Sequence, residues 1–126
     1  MRIRVYYEDT DAGGIVYHSN YLNYCERARS EYFFSKGLSP IIDDSHFVVR
    51  KMDCDFLNSA HFGDMVDVCT SVKEVKNSSF TLFQEIKKDD KVLFTATVLL
   101  VLVKDGRVKR IDSSIKELIN SIFIEL

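Results

Sequence analysis

Apolar and polar residues alternate from Arg2 to Glu8, with Ile3, Val5 and Tyr7 on one face and Arg2, Arg4, Tyr6 and Glu8 on the other. That is the two-residue period of a half-buried strand, and it predicts that Tyr7 reaches the inner face. The alternation breaks at Asp9-Thr10-Asp11-Ala12-Gly13-Gly14, a run of turn formers whose paired glycines allow close approach to the backbone. From His18–Asn20 onward the period lengthens. Tyr21, Cys25, Ala28 and Tyr32 recur at helical spacing, and Leu22 and Tyr24 broaden the stripe. Ser19 or Asn20 is the expected cap, Arg27 and Glu31 form a four-apart exposed pair, and Gly37 followed by Pro40 marks the stop. So broad a stripe predicts a helix covered on most sides by a sheet.

The rest of the chain is mostly strands. Ile41–His46 reads as a loop, and Phe47–Leu57 as a strand with Val48, Met52, Cys54 and Phe56 on one face. Arg50 falls on that same apolar face, where an arginine needs an anion or a second subunit as partner. In Met65–Val75, Val66, Val68, Thr70 and Val72 point inward; after a turn at Lys76–Ser79, so do Phe80, Leu82, Gln84 and Ile86. Lys88-Asp89-Asp90-Lys91 is a hairpin turn. Val92–Val103 is apolar on both faces, which a one-sided antiparallel strand is not, so another subunit is expected on its outer face. Asp105-Gly106 is a second turn, Arg107–Ile111 a short strand, and Ser113 or Ser114 the cap of a final helix striped by Ile115, Leu118, Ile119, Ile122 and Phe123. The order predicts an α+β domain, one sheet packed on one long helix.

Composition narrows the function. The chain has 126 residues, 46% hydrophobic and 29% charged, with a net charge of −2. One domain spanning 1–126 is expected, and a general affinity for nucleic acid is not. No apolar run approaches the ~18 residues of a membrane span, and no signal peptide is expected. Cys25, Cys54 and Cys69 lack CxxC spacing and read as reduced thiols of a cytoplasmic protein. His18, His46 and His61 share no ligand spacing with one another or with the cysteines, so no metal is expected. No GxSxG motif and no dinucleotide or phosphate loop occurs.

The remaining candidate chemistry sits in the first turn. Asp11 precedes the paired glycines and His18 stands where the helix begins. A carboxylate can act as base or nucleophile, and a helix start presents unpaired N–H groups to a developing oxyanion. The stretch DTDAGGIVYHSNYLNYCERAR, extended by Tyr6-Tyr7-Glu8 before it and by Val48-Val49-Arg50-Lys51-Met52 later, resembles the signature of the 4-hydroxybenzoyl-CoA thioesterase family of hot-dog proteins, in its YbgC-type branch. The resemblance spans nearly the whole chain. It implies a hot-dog fold: a five- to six-stranded antiparallel sheet wrapped around one long central helix, with a short C-terminal helix. It also implies hydrolysis of acyl-CoA thioesters in lipid metabolism, without a cofactor, by a homodimer assembling to a homotetramer.

Residue by residue, the resemblance puts the catalytic aspartate on Asp11 and the carbonyl-polarising position on His18. Tyr7 is expected to hold the carboxylate or line the acyl pocket. Gly14, Tyr17, Arg50, Lys76 and Ser79 are the expected substrate contacts, Lys76 being the foremost phosphate ligand, with Lys51, Lys73 and Lys104 behind it. Relatives carry a stronger basic cluster before the Ser79 strand than Lys76-Asn77-Ser78, so acyl carrier protein stays open beside coenzyme A as the acyl carrier. Tyr21, Tyr24, Tyr32, Phe33 and Phe34 are expected to fill the core rather than line a tunnel. Two alternatives stay open: another hot-dog activity such as hydration, and a non-catalytic acyl-CoA or acyl-carrier-protein binding or envelope-associated scaffold protein.

Overall fold

In the computed structural model, which describes residues 1–124, the chain runs β1 (Arg2–Arg4), a 3-10 turn (Tyr7–Asp9), α1 (His18–Phe34), β2 (Ile41–Ile42), β3 (Ser45–Phe56), β4 (Met65–Val75), β5 (Ser79–Lys88), β6 (Lys91–Lys104), β7 (Arg107–Lys109) and α2 (Ser113–Ile122). The strands form one antiparallel seven-stranded sheet in the order β1-β4-β5-β6-β3-β2. β7 pairs with Leu102–Lys104 of β6, just past the point where β5 begins at Ser79 opposite Val101. The sheet curls around α1, as the broad apolar stripe requires. Tyr21, Tyr24, Cys25, Ala28, Tyr32 and Phe33 of the helix are all buried. Tyr21 stacks on Phe94 of β6 with ring centroids 5.3 Å apart and planes 7° from parallel, and its hydroxyl accepts the Ala60 N–H at 3.0 Å.

One polar node lies within this core. Gln84 is fully buried; its Nε2 donates to the Cys25 carbonyl at 3.1 Å and to Thr70 Oγ1 at 3.0 Å, and its Oε1 accepts from Arg29 Nη1 at 2.9 Å. Every polar atom of the amide is thereby used, which is the condition for burying it without a large penalty.

Several expectations from the sequence are corrected. Residues Ile41–His46 are a hairpin, not a loop: Asp43 and Asp44 both take positive φ, 47° and 62°, and join β2 to β3. Short acidic side chains tolerate that region and so make a tight turn without glycine. In β3 the expected face is wrong for Val48 and Arg50. The register with β6 slips between Val49 and Lys51, leaving Arg50 as the extra residue of a bulge. Phe47 and Val49 face inward before it, opposite Leu102 and Leu100; Met52, Cys54 and Phe56 face inward after it. The bulge inverts the parity of the strand, so Val48 points outward and Arg50 is exposed without a buried partner to satisfy.

Tyr7 is corrected too. β1 stops at Arg4, the 3-10 turn follows, and Tyr7 is 78% exposed with its ring edge-on to Phe62. The turn forms because the Asp9 carboxylate accepts the Tyr6 N–H at 2.9 Å while the Asp9 N–H donates to the Tyr6 carbonyl at 3.0 Å. Neither expected serine caps α2. Asp112 does, accepting the Ile115 N–H at 3.0 Å, with Ser114 donating to the same carboxylate oxygen. α2 closes one end of the core through Ile115, Ile119 and Ile122, and Phe123 after it packs edge-on to Phe33 and Tyr32. The outer face of β6 is mixed rather than uniformly buried: Val101 is covered, Leu99 is half-buried and Thr97 is exposed.

The Tyr21–Phe94 stack joins helix to sheet, so Phe94→Ala is expected to lower unfolding free energy by about 3–5 kcal/mol in a denaturant titration.

Candidate active site

The acidic-glycine turn is held by main-chain bonds. Asp11 N–H donates to the Ile15 carbonyl at 2.8 Å and Gly14 N–H to the Asp11 carbonyl at 3.0 Å. Thr10 and Val16 bridge in antiparallel fashion, as do Ile15 and His61. Gly14 adopts φ 79°, a left-handed conformation that glycine takes without strain. Gly13 serves differently: a Cβ there would lie 3.2 Å from Asp11 Oδ1, where its own N–H donates to that oxygen at 2.8 Å. The Asp11 carboxylate is therefore anchored by one oxygen, and the other has no hydrogen bond among the described residues.

The turn is tied to the helix through Asp9. The Asp9 main-chain carbonyl accepts the Tyr17 N–H and the Asn20 Nδ2, each at 2.9 Å. Asn20 thus reaches back to the turn rather than capping α1, and Ser19 does not cap it either. Tyr17 is the N-cap and makes no side-chain bond there. The leading amides of α1, at His18 and Ser19, keep the unpaired character of a helix start and its partial positive charge. The His18 ring lies against Tyr17, centroids 4.4 Å apart, and edge-on to Phe56 at 6.2 Å.

Asp11 stands between two hollows. One, of about 250 Å³, is lined on the turn side by Asp11, Ile15, Val16, His18 and Tyr21. Its far wall is Phe56, Leu57, Asn58 and Ser59, the end of β3 and the start of the β3–β4 connection. The other, of about 450 Å³, is lined by Tyr7, Thr10, Asp11, Ala12, Gly14 and Phe62. Asp11 alone is common to both.

Of the residues the sequence nominates, the fold gathers Asp11, His18, Tyr7 and Gly14 around these hollows, with Tyr17 at the helix cap. Arg50, Lys76 and Ser79 lie elsewhere. Ser79 is aligned with Val101 of β6, whereas Phe56, at the Asp11 end, is aligned with Phe94. Those positions are seven residues apart on β6, roughly 23 Å at about 3.3 Å per residue. Lys76 pairs loosely with Glu74 at 3.9 Å. The Phe56–Ser59 wall escaped the sequence reading, since strand parity shows no pocket; the Asn58-Ser59 pair just after β3 was its polar signal. Among the described residues no cluster of His, Cys, Asp and Glu is arranged to hold a metal, and no helix is long and apolar enough to cross a membrane. All three cysteines are free thiols.

The sequence profile of the Thioesterase superfamily matches residues 13–95. The chain belongs to that superfamily. It is 50% identical over 86 residues to the acyl-CoA thioesterase YbgC of Helicobacter pylori, a match covering 68% of this chain and 65% of the relative, so just under two-thirds of that protein is spanned. It is 38% identical over 111 residues to the YbgC acyl-CoA thioesterase of Haemophilus influenzae, covering 85% and 82% of the two chains. A Thermus thermophilus thioesterase solved with coenzyme A and zinc superposes with a TM-score of 0.83 at 27% identity, over 97% of this chain and 92% of that one. The curled antiparallel sheet, long helix and short C-terminal helix described above are the hot-dog fold of this superfamily.

Beneath the turn, the Tyr24 hydroxyl is buried and, among the described residues, has no hydrogen-bond partner of good geometry. Burial, and next the neighbouring Asp9 carboxylate, push its pKa well above the ordinary 10.0. A group whose folded pKa is raised stabilises the fold below its unfolded value and loses that contribution as pH rises above it. Stability should therefore fall above about pH 10. In Tyr24→Phe that alkaline limb should flatten, with little change at pH 7, read by thermal unfolding across pH.

Proposed function

We propose that this member of the thioesterase superfamily is an acyl-CoA thioesterase, cleaving the thioester to free acid and coenzyme A at Asp11. The single observation that carries the reading is Asp11's place at the junction of two hollows, beside the open N-terminus of α1. A thioester has two arms, and a site that cleaves it needs room for each on either side of the attacking group. The acyl arm occupies the hollow bounded by His18, Tyr21 and Phe56; the pantetheine arm leaves past Tyr7, Gly14 and Phe62. The names of the YbgC relatives and the coenzyme A bound to the Thermus neighbour support the same substrate class.

In this mechanism the thioester carbonyl oxygen sits against the His18 N–H. Charge developing on that oxygen is met by a fixed donor and the positive end of a 17-residue helix; one such donor contributes about 3 kcal/mol to the transition state. The free oxygen of Asp11 either takes a proton from water as the water oxygen attacks the carbonyl carbon, or itself attacks that carbon to form a mixed anhydride; in both routes the C–S bond breaks and coenzyme A leaves as the thiolate, and in the second water then hydrolyses the anhydride to restore the carboxylate. Gly13 holds the other oxygen and fixes which lone pairs face the substrate. Tyr7 and Tyr17 flank the route in, and the His18 imidazole orients the acyl group or water.

The phosphate contacts require a second copy. β2 covers only Ser45 and His46 of the twelve-residue β3, leaving the edge from Phe47 to Phe56 open to pairing. Antiparallel pairing of two β3 strands about a two-fold axis brings the Val48–Ser79 end of one chain to the Phe56–Asp11 end of the other. Arg50, Lys76 and Ser79 of that second copy then reach the anionic end of the coenzyme. A continuous sheet across a homodimer follows from that pairing; we propose that two such dimers join into a homotetramer, with acyl carrier protein the alternative carrier.

Asp11→Asn is the decisive variant. It keeps the Gly13 contact and removes the charge, so kcat for acyl-CoA hydrolysis should fall at least about 100-fold with folding and oligomer size retained. Undiminished turnover would remove Asp11 from the chemistry, and absence of turnover in the unmodified chain would leave the binding or scaffold reading standing. Single-turnover hydrolysis in isotopically labelled water, with mass analysis of Asp11, separates the two routes: label in the carboxylate means direct attack. Sedimentation of the intact chain tests the pairing, with mass at least twice 14.6 kDa expected.

A further inference from the structure

The connection from β3 to β4 contains a tight turn, His61-Phe62-Gly63-Asp64. One residue closes it in both directions. The Asp64 N–H donates to the His61 carbonyl at 3.0 Å, and the Asp64 carboxylate accepts the His61 N–H at 2.8 Å. Gly63 takes φ 86° at the third position, as a turn of this kind requires. On one side the turn is laced to the end of β1: the Val5 N–H donates to the Asp64 carbonyl at 2.8 Å, the Gly63 N–H to the Val5 carbonyl at 2.9 Å, and Arg4 Nη1 to the Gly63 carbonyl at 2.8 Å. On the other side the second carboxylate oxygen of Asp64 accepts Lys88 Nζ at 2.9 Å. Lys88 ends β5 and lines neither hollow at Asp11.

What this turn presents is a ring held out of the core. Phe62 is 61% exposed and meets Tyr7 edge-on at 6.1 Å. Leaving so large an apolar side chain in water forgoes the burial that would stabilise the fold, so packing within the chain does not account for its place. The ring lines the hollow of about 450 Å³ that Asp11 shares. A side chain already fixed on a rigid turn costs less to order when a ligand arrives than one that swings free. The Asp64 side chain that fixes it is 14% exposed, and so covered a carboxylate needs a cation and N–H donors around it. Burial works to raise its pKa, but Lys88 and the His61 N–H outweigh that and hold it below the ordinary value. Lys88 itself is half-exposed, so the ion pair adds little to global stability and acts on the turn alone.

We propose that Asp64 and Lys88 are a positioning pair for the coenzyme arm of the substrate, holding Phe62 through the His61–Asp64 turn where the pantetheine chain passes. The inference rests on the function proposed above, in which that arm leaves past Tyr7, Gly14 and Phe62. Neither residue touches the substrate; both act from the far side of the turn.

The test is calorimetric titration of the full chain with coenzyme A. Lys88→Met should weaken binding about fivefold, the scale of ordering one side chain, with thermal unfolding nearly unchanged. Lys88→Arg keeps a cation that pairs with a carboxylate and should restore the affinity. Phe62→Ala should weaken binding by a similar factor, and adding Lys88→Met to it should cost nothing further, because the ring being positioned is gone. Asp64→Asn keeps an acceptor for the His61 N–H but loses the charge, and it too should weaken binding. Tighter binding in Asp64→Asn would mean that Lys88, once released, meets a coenzyme phosphate directly, and would overturn the proposal. Equal affinity in Lys88→Met, no recovery in Lys88→Arg, or losses that multiply in the double variant would each overturn it as well, and these readings stand even where Asp64→Asn does not fold. All of them leave the proposed function in place; failure of coenzyme A to bind the unmodified chain would overturn both.

Discussion

A single carbonyl oxygen, that of Asp9, fixes the relation between the two halves of the site. It accepts the Tyr17 N–H and the Asn20 side-chain amide together. The first binds the acidic-glycine turn to the residue that caps α1. The second binds it to the first turn of the helix. The Asp11 carboxylate and the open amides at His18 thereby hang from one anchor, so neither can drift without the other. That carbonyl is supported in turn by the Asp9 side chain, which holds Tyr6 and closes the 3-10 turn. A carboxylate near a helix start is common; a carboxylate tethered to it is what lets a small domain place attacking group and oxyanion donor reproducibly.

The sheet supplies the other constraint. Curling around α1 buries the broad face of the helix and leaves the inner side of β3 only partly covered. Phe47, Met52 and Cys54 are half-buried, and Val49 and Phe56 are exposed. The bulge at Arg50 keeps Phe47 and Phe56 on the same side despite their odd separation in sequence. At one end of this strip Phe56 forms a wall of the Asp11 hollow; at the other, Phe47 and Val49 line a separate hollow beside Glu26 and Arg29. An open edge and a partly open inner face on one strand are the features a second copy of the chain would complete.

The helix, the hairpins at Asp89-Asp90 and Asp105-Gly106, and the inward faces of β4 and β5 were legible from periodicity alone. Each is set by local pattern: a face repeats every two or about 3.6 residues, and turn formers end it. The misses share a cause. Tyr7, Arg50, Ser19 and Ser113 were placed by extending a local rule one residue too far; at Arg50 a distant strand decided, and at the other three a near neighbour did. Asp9 folded Tyr7 out of the strand, the β6 register made Arg50 a bulge, and Tyr17 and Asp112 became the caps. The Asp43-Asp44 hairpin was visible in principle, because two short acidic residues between Ile-Ile and a β-rich run form a turn even without glycine.

The sequence by itself determined the fold class, the inside and outside of most strands, and the two groups, Asp11 and the start of α1, that form the candidate site. It could do so because burial is periodic and turn chemistry is local. Only the tertiary structure decided which residues face Asp11 across the gap, and that Lys76 and Ser79 lie at the far end of the sheet from it. Those facts depend on strand register and sheet curvature, which bring together positions dozens of residues apart, and no periodicity along one segment encodes its distance to another.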